Sequence, residues 1–232
     1  MLLLFDIDGT LVQGAALEHA MALRQAVQMV HGIDIESCGP SKDRAGRTDG
    51  EIARMILLDA GVSADRIDER AADVREQCCR IYASLCPPDL TGRVVAGVPA
   101  LLAWLEDQEG VRLSLVTGNF EQIARIKLKS ARLGHWFAPG QGGFGSDSED
   151  RVALPPLARR RAGEAAGLGN SWPRDRTLVI GDTPRDIACA RADNLRCVAV
   201  TSGPHPAEDL SGADALARSS EELRAVLEEF LA

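Results

Sequence analysis

The chain predicts an α/β fold: a doubly wound parallel sheet with an inserted, small all-helical domain. Three observations lead there. Short continuous apolar runs recur at residues 1–5, 111–119, 176–182 and 195–203, and such runs suit strands buried on both faces of a parallel sheet. Each run ends in small or polar residues and is followed by a helical pattern, the alternation of a doubly wound domain. Between the first run and the second, from about Leu17 to Leu85, the patterns are helical and no strand is convincing.

In chain order, Met1 to Phe5 reads as a buried strand that runs into FDIDGT. Leu17, Met21 and Gln28 then lie in one amphipathic segment. Thr48 reads as the cap of a helix running to Ala60, with Glu51 completing a capping box and Gly61 closing it. Ser63 opens a helix from Ala64 through Tyr82, stopped by Pro87-Pro88. An insert of this length exceeds any ordinary loop and is expected to be a domain of its own. The division that follows is an α/β core over 1–14 and 92–232, with a helical cap over 15–91. After the second strand, GNFEQIARIKLKSARLG gives a helix with Ile123, Ile126 and Leu133 inward and Gly134 as its stop. TPRDIACARADN has a proline suited to a first helical turn. Residues 202–220 read as loops and a short edge strand before a last helix, Glu221 to Leu231.

Composition narrows the partners. At 232 residues with 45% hydrophobic content, the chain has enough apolar side chains for a core. Its net charge of −8 argues against nucleic acid and against an anionic membrane. The only lysines are Lys42, Lys127 and Lys129, so nearly all the basic charge is arginine. Cysteines 38, 78, 79, 86, 189 and 197 show no metal-type spacing and read as reduced packing residues. No basic residue precedes the first apolar run, which ends after four or five residues, unlike a signal peptide. No segment approaches the ~20 apolar residues of a membrane span. A cytoplasmic location is expected. His19, His31, His135 and His205 share no spacing and read as structural or exposed, and His135-Trp136-Phe137 as packing after a helix stop.

Ligands of open α/β sheets sit beyond the carboxyl ends of the strands. Those ends carry Asp6 and Asp8 after the first strand, Thr117-Gly118-Asn119 after the second, and Gly181-Asp182-Thr183 with Asp186 after the third. Four aspartates and a threonine are therefore expected at one edge. Asp6 and Asp8, two apart on an extended chain, point the same way. Clustered carboxylates with no nearby lysine call for a divalent cation, and an all-oxygen set suits Mg2+.

FDIDGT, VTGN and GDTPRD, in that order and at those separations, resemble the haloacid dehalogenase superfamily, in particular its phosphoglycolate phosphatase-like branch with a helical cap. The likeness covers nearly the whole chain. It implies a Rossmann-like core and a Mg2+-dependent phosphatase acting on a small phosphorylated metabolite: a phosphoglycolate-like acid, a sugar phosphate or a nucleoside monophosphate. Asp6 would be the nucleophile that forms an aspartyl-phosphate, and Asp8 the acid for the leaving alcohol and then the base for water. Thr117, Gly118 and Asn119 would hold the phosphoryl oxygens. Asp6, the main-chain carbonyl of Asp8, and Asp182 would ligate Mg2+, with Asp186 binding it directly or orienting its waters. Gly9 permits a tight turn near the phosphate.

The superfamily's phosphate-neutralising lysine has no counterpart, because no lysine follows Lys129. Arg151 is the substitute expected, since a guanidinium clamps phosphate and stays charged. Arg159 to Arg161 compete for that role but read as a solvated helix face. In the cap, GRTDGEIAR resembles a segment of related enzymes and puts Arg47 where it could reach the far end of a substrate. Two other functions remain compatible: a phosphomutase acting on a sugar phosphate, and a phosphate-binding regulatory protein without turnover.

Overall fold

The computed structural model describes residues 1–14, 16–34 and 44–231; Cys38 and Lys42 lie outside them. Strands β1 (Leu2–Phe5), β2 (Arg112–Thr117), β3 (Gly143–Phe144), β4 (Thr177–Gly181), β5 (Arg196–Val200) and β6 (Ala215–Ala217) form one sheet. All pairings are parallel and the order is β3-β2-β1-β4-β5-β6. This is the order of a doubly wound fold in which the chain reverses its winding direction at the central strand. That strand is β1, with β2 on one side and β4 on the other, so the crevice at its carboxyl end opens directly after Phe5.

The alternation of side chains along β1 ties the two faces of the sheet together. Leu3 and Phe5 enter a cluster with Leu101, Leu102, Leu105, Leu128 and Leu223. Leu2 and Leu4 point the other way, into a cluster with Leu154, Ala158, Cys189 and Leu210. The first cluster is covered by α4 (Val98–Glu106), α5 (Glu121–Ser130) and α8 (Ser220–Leu231), the second by α6 (Leu154–Ala165) and α7 (Pro184–Ala192). Helix α4 and strand β3 leave little trace in the sequence. The helix is only nine residues, and β3 is two residues reached through glycine turns.

Helices α1 (Ala16–His31), α2 (Asp49–Asp59) and α3 (Ala64–Leu85) follow β1 and share a third hydrophobic cluster. Phe120 and Ile123, at the start of α5, belong to that cluster as well, so the cap rests on the helix that follows β2. Thr48 caps α2 by accepting the Glu51 N–H, as expected. The Glu51 carboxylate, however, pairs with Arg47. Ser63 caps α3, and the helix continues to Leu85 rather than Tyr82.

Several sequence readings need correction. The buried face of α1 is Ala22, Leu23, Ala26 and Val27, while Leu17 and Met21 are exposed. Ala22 and Ala26 alternate with Leu23 and Val27 on the buried face, whereas Leu17, Met21 and Met29 lie on the exposed one. Helix α5 ends at Ser130, not at Gly134. Arg132 takes the left-handed conformation with φ 58°, and the Leu133 and Arg132 N–H groups return to the carbonyls of Leu128 and Lys129 at 2.8 and 3.0 Å. That is the glycine-type helix stop made with an arginine. Ile126 is half-buried against the cap cluster rather than inward. Arg159 is not solvated: it is buried, with Nη1 3.0 Å from Asp193. Cys78, Cys79, Cys189 and Cys197 are buried free thiols, and Phe137 packs edge-on against Phe5. No helix among the described residues is long and apolar enough to cross a membrane.

Because β1 is buried on both faces, truncation inside it cannot be relieved by local shifts. Leu4→Ala is expected to cost about 2–5 kcal/mol, read as a lower urea midpoint with an unchanged m-value.

Candidate active site

The carboxyl ends of β1 and β4 deliver three acidic side chains to one point. One carboxylate oxygen from each of Asp6, Asp182 and Asp186 lies within 4.8 Å of the others, and all three residues are buried. The backbone fixes them. The Asp6 N–H bonds to the Ile180 carbonyl at 2.9 Å, extending the β1–β4 ladder by one residue. Thr183 and Asp186 form a reciprocal capping box at the start of α7, which locks Asp186 Oδ2 against the Thr183 N–H at 3.0 Å. Glycines make the room. Gly9 has φ +89°, and a Cβ there would lie 2.2 Å from Asp182 Oδ2; at Gly203 it would lie 1.7 Å away.

Among the described residues, one cation answers these charges. Arg151 is buried, donates to Asp186 Oδ1, and holds Nη2 3.3 Å from Asp6 Oδ2. A single guanidinium does not neutralise three carboxylates. Burial first, then the repulsion of Asp186 and Asp8, pushes the Asp6 carboxyl up to about 7 despite Arg151. Burial and the neighbours Asp6 and Asp186 push Asp182 up to about 8. Asp182 Oδ1 accepts from Thr10 Oγ1 at 2.9 Å, while its Oδ2 is buried without a partner. Both Asp186 oxygens already accept protein donors. An excess of buried negative charge, a hard oxygen donor set and an orphaned carboxylate oxygen together fit a divalent cation such as Mg2+.

Asp8 stands in a different environment. Its carboxylate is not in the three-oxygen cluster. It meets the buried ammonium of Lys127, with Nζ 2.7 Å from Oδ1 and 2.6 Å from Oδ2. Asn119 Nδ2 donates to Oδ2 at 2.8 Å. Burial alone would raise the Asp8 carboxyl, but Lys127 above all, with Asn119, holds it below the usual carboxylate range. The expectation of no lysine near the carboxylates is therefore wrong. Lys127 shares the inward face of α5 with Ile123, Ala124 and Leu128, and a lysine on an apolar helical stripe was the signal for it.

Two further residues escaped the sequence reading. Lys127 Nζ lies 3.1 Å from His19 Nδ1, and His19 Nε2 lies 3.0 Å from Asp49 Oδ2. Asp49 Oδ2 also accepts the Phe120 N–H at 2.7 Å, so a cap residue serves the first turn of α5. His19 is thus a buried link between cap and core rather than an isolated structural residue.

The remaining expected residues sit as follows. Thr117 is fully buried at the end of β2. The Gly118 carbonyl accepts the Asp49 N–H at 2.8 Å. Asn119 turns its amide toward Asp8 and Lys127, and its N–H lies 3.4 Å from Thr117 Oγ1. Asp6, Asp8, Gly118, Asn119, Arg151 and Asp182 all line a cavity of about 490 Å3 between core and cap. Arg47 lines it too, paired with Glu51. The cap side is largely apolar, with Ala20, Leu23 and Ile52, and Arg44 is also present.

A sequence model of the haloacid dehalogenase-like hydrolases matches residues 3–191. The chain belongs to this family. Among its relatives, phosphoglycolate phosphatase 1 of Pseudomonas aeruginosa is 27% identical over 204 residues, which is 87% of this chain and 70% of that protein. A hydrolase from Pseudomonas syringae has a similar fold with TM-score 0.67, 23% identity and 99% of both chains covered. The β-phosphoglucomutase of Clostridium difficile superposes with TM-score 0.67 at 20% identity, over 99% of this chain and 96% of that one.

The raised Asp6 and Asp182 carboxyls give a signed expectation. Both lie far above their ordinary value of 3.8, at about 7 and about 8. The metal-free folded protein therefore binds more protons than the unfolded chain, and loses stability as pH rises through that window. A cation displaces those protons, so the rise in melting temperature on adding Mg2+ is expected to be larger at pH 8 than at pH 6. Equal rises, or a larger one at pH 6, would contradict this assignment.

Proposed function

We propose that the protein is a Mg2+-dependent phosphatase that hydrolyses a phosphomonoester through an aspartyl-phosphate on Asp6. The observation that carries the reading is the separation of two neighbouring aspartates into two environments. Asp6 lies among the metal-type carboxylates beside Arg151, while Asp8, two residues on, is removed from them by Lys127. Without a metal the two are shifted in opposite senses, Asp6 up and Asp8 down. With a cation bound, Asp6 would be ionised for attack, and Asp8, ionised beside Lys127, suits the base that takes the proton of water.

Asp6 and Asp182 would hold the metal directly with the main-chain carbonyl of Asp8. Asp186, its oxygens engaged by Arg151 and Thr183, would orient the shell around it. Bound there, Mg2+ would neutralise the carboxylates and stabilise charge on the phosphoryl oxygens. Asp6 Oδ attacks phosphorus as the bond to the leaving alkoxide breaks, and the protonated form of Asp8 supplies the alkoxide's proton, becoming the carboxylate that serves the next step. Water then attacks phosphorus, its proton passes to Asp8, and the bond to Asp6 breaks to release phosphate. Gly118, Asn119 and Arg151, which line the cavity, would border the phosphoryl position, with Thr117 buried at the end of β2 next to them. Arg151 would keep the charge that the family's usual lysine supplies.

A cavity of about 490 Å3 exceeds the needs of a two-carbon acid. Its apolar cap side and the partnerless buried Nε and Nη2 of Arg44 favour a larger metabolite with a second polar or anionic group. Sugar phosphates and nucleoside monophosphates fit that description better than phosphoglycolate. The same Arg44 could hold the second phosphate of a sugar bisphosphate, which keeps a phosphomutase as the second reading. The protein is expected to act in the cytoplasm on a soluble metabolite.

Phosphate release from a panel of phosphomonoesters tests the proposal. Release is expected with Mg2+, to vanish with chelator, and to fall at least a thousandfold in Asp6→Asn. A sugar monophosphate converted to its isomer only when primed with bisphosphate, with little free phosphate, would favour the mutase.

A further inference from the structure

We infer that Lys127 is a positioning residue for Asp8, that it serves the water-activating half of the reaction, and that the cap holds it in place through His19 and Asp49. The inference rests on the proposed aspartyl-phosphate chemistry and adds a residue that the sequence motifs do not contain.

The hydrogen-bond inventory of the ammonium is complete. An ammonium offers three protons and accepts none. Lys127 is fully buried and its three protons have three takers: the Asp8 carboxylate, Asn119 Oδ1 at 2.7 Å and His19 Nδ1 at 3.1 Å. His19 Nδ1 must therefore be an acceptor, which leaves its proton on Nε2, 3.0 Å from Asp49. Asn119 closes the ring by accepting from Lys127 and donating to Asp8. No member of this set can turn without breaking a buried bond, which costs on the order of 1–3 kcal/mol.

The consequence for Asp8 is orientational. A carboxylate has about four acceptor positions. Lys127 takes one on each oxygen and Asn119 a second on Oδ2, so one position is left, on Oδ1. The Asp8 side chain is 29% exposed and lines the cavity, so that position is available to a water. A carboxylate held in one orientation by three contacts from two fixed donors is a pre-aimed proton acceptor.

The anchoring of this ring lies in the cap. His19 is on α1 and Asp49 is the first residue of α2, whereas Lys127, Asn119 and Asp8 belong to the core. Asp49 is held in turn by the Phe120 and Gly118 main chain. Asp8 is thus aimed when the cap is seated. A purely structural role for Lys127, neutralising Asp8 and Asp49, would produce the same contacts but a different kinetic signature.

p-Nitrophenyl phosphate separates the two. Nitrophenolate leaves without an acid, so transfer to Asp6 does not need Asp8, while hydrolysis of the phosphoenzyme does. For Lys127→Met, kcat is expected to fall ten- to a hundredfold with kcat/KM retained within about threefold. A burst of one nitrophenolate per site should appear, along with a hydroxylamine-sensitive phosphoenzyme. Retained kcat/KM also shows that the variant is folded. Should Lys127→Met not fold, His19→Gln, which removes the cap's hold on Lys127, is expected to give the same pattern at a smaller size. Equal losses in kcat and kcat/KM with no burst in the folded variant would overturn the inference. A wild-type enzyme that turns over p-nitrophenyl phosphate without any trappable phosphoenzyme would instead sink the aspartyl-phosphate reading, and the inference with it.

Discussion

The structure is organised around one electrostatic problem. Three buried carboxylates, Asp6, Asp182 and Asp186, meet within 4.8 Å with a single guanidinium beside them. Burial of unpaired charge is costly, and the protein meets that cost by protonation, pushing Asp6 to about 7 and Asp182 to about 8. A nucleophile must be ionised. The same geometry that makes the cluster unfavourable suits it to a cation, and in the proposed reaction a divalent ion would restore charge to Asp6 where attack on phosphorus requires it. Parallel-strand topology is what permits this, since only the shared carboxyl edge of β1 and β4 brings residues 6 and 182 together.

Much of this edge was legible in the sequence, and the reason is local. Strand ends are marked by the switch from apolar runs to Asp, Gly and Thr, and these switches order the site along the chain. The strands 112–117, 177–181 and 196–200 fall inside the runs seen in the sequence. With no lysine beyond Lys129, Arg151 stands out because a Pro-Leu follows it at the spacing the resemblance implies, and the structure places its guanidinium beside Asp6 and Asp186.

What was not legible depends on which face of a helix is turned inward. Leu17 and Met21 look like the core of α1 by hydrophobicity, yet Ala22, Leu23, Ala26 and Val27 are buried. Which apolar stripe of a helix is buried is set by the helices it docks against, and that is a tertiary property. Arg159 looked like one charge in a solvated run until Asp193, from a loop more than thirty residues away, came to meet it. Lys127 and His19 were missed for the same reason. Each is polar in a helical pattern, and only the docking of α1 and α2 onto α5 turns them toward one another.

That docking makes the two cations of the site unequal. Arg151 comes from the core and sits among core carboxylates, so its position is independent of the cap. Lys127 also comes from the core, but one of its three protons goes to His19 in the cap. Withdrawing the cap would leave that proton without its partner and expose the Lys127–Asp8 pair to water, where an ion pair is worth about 1 kcal/mol or less. With the cap seated, Lys127 is fully buried and the orientation of the pair is fixed, while Asp8 keeps its contact with the cavity. In the proposed mechanism the nucleophile would thus be prepared by the sheet and the acid/base by the cap. The division fits a reaction in which attack on phosphorus can begin from the core alone but hydrolysis must wait for a closed, water-poor site.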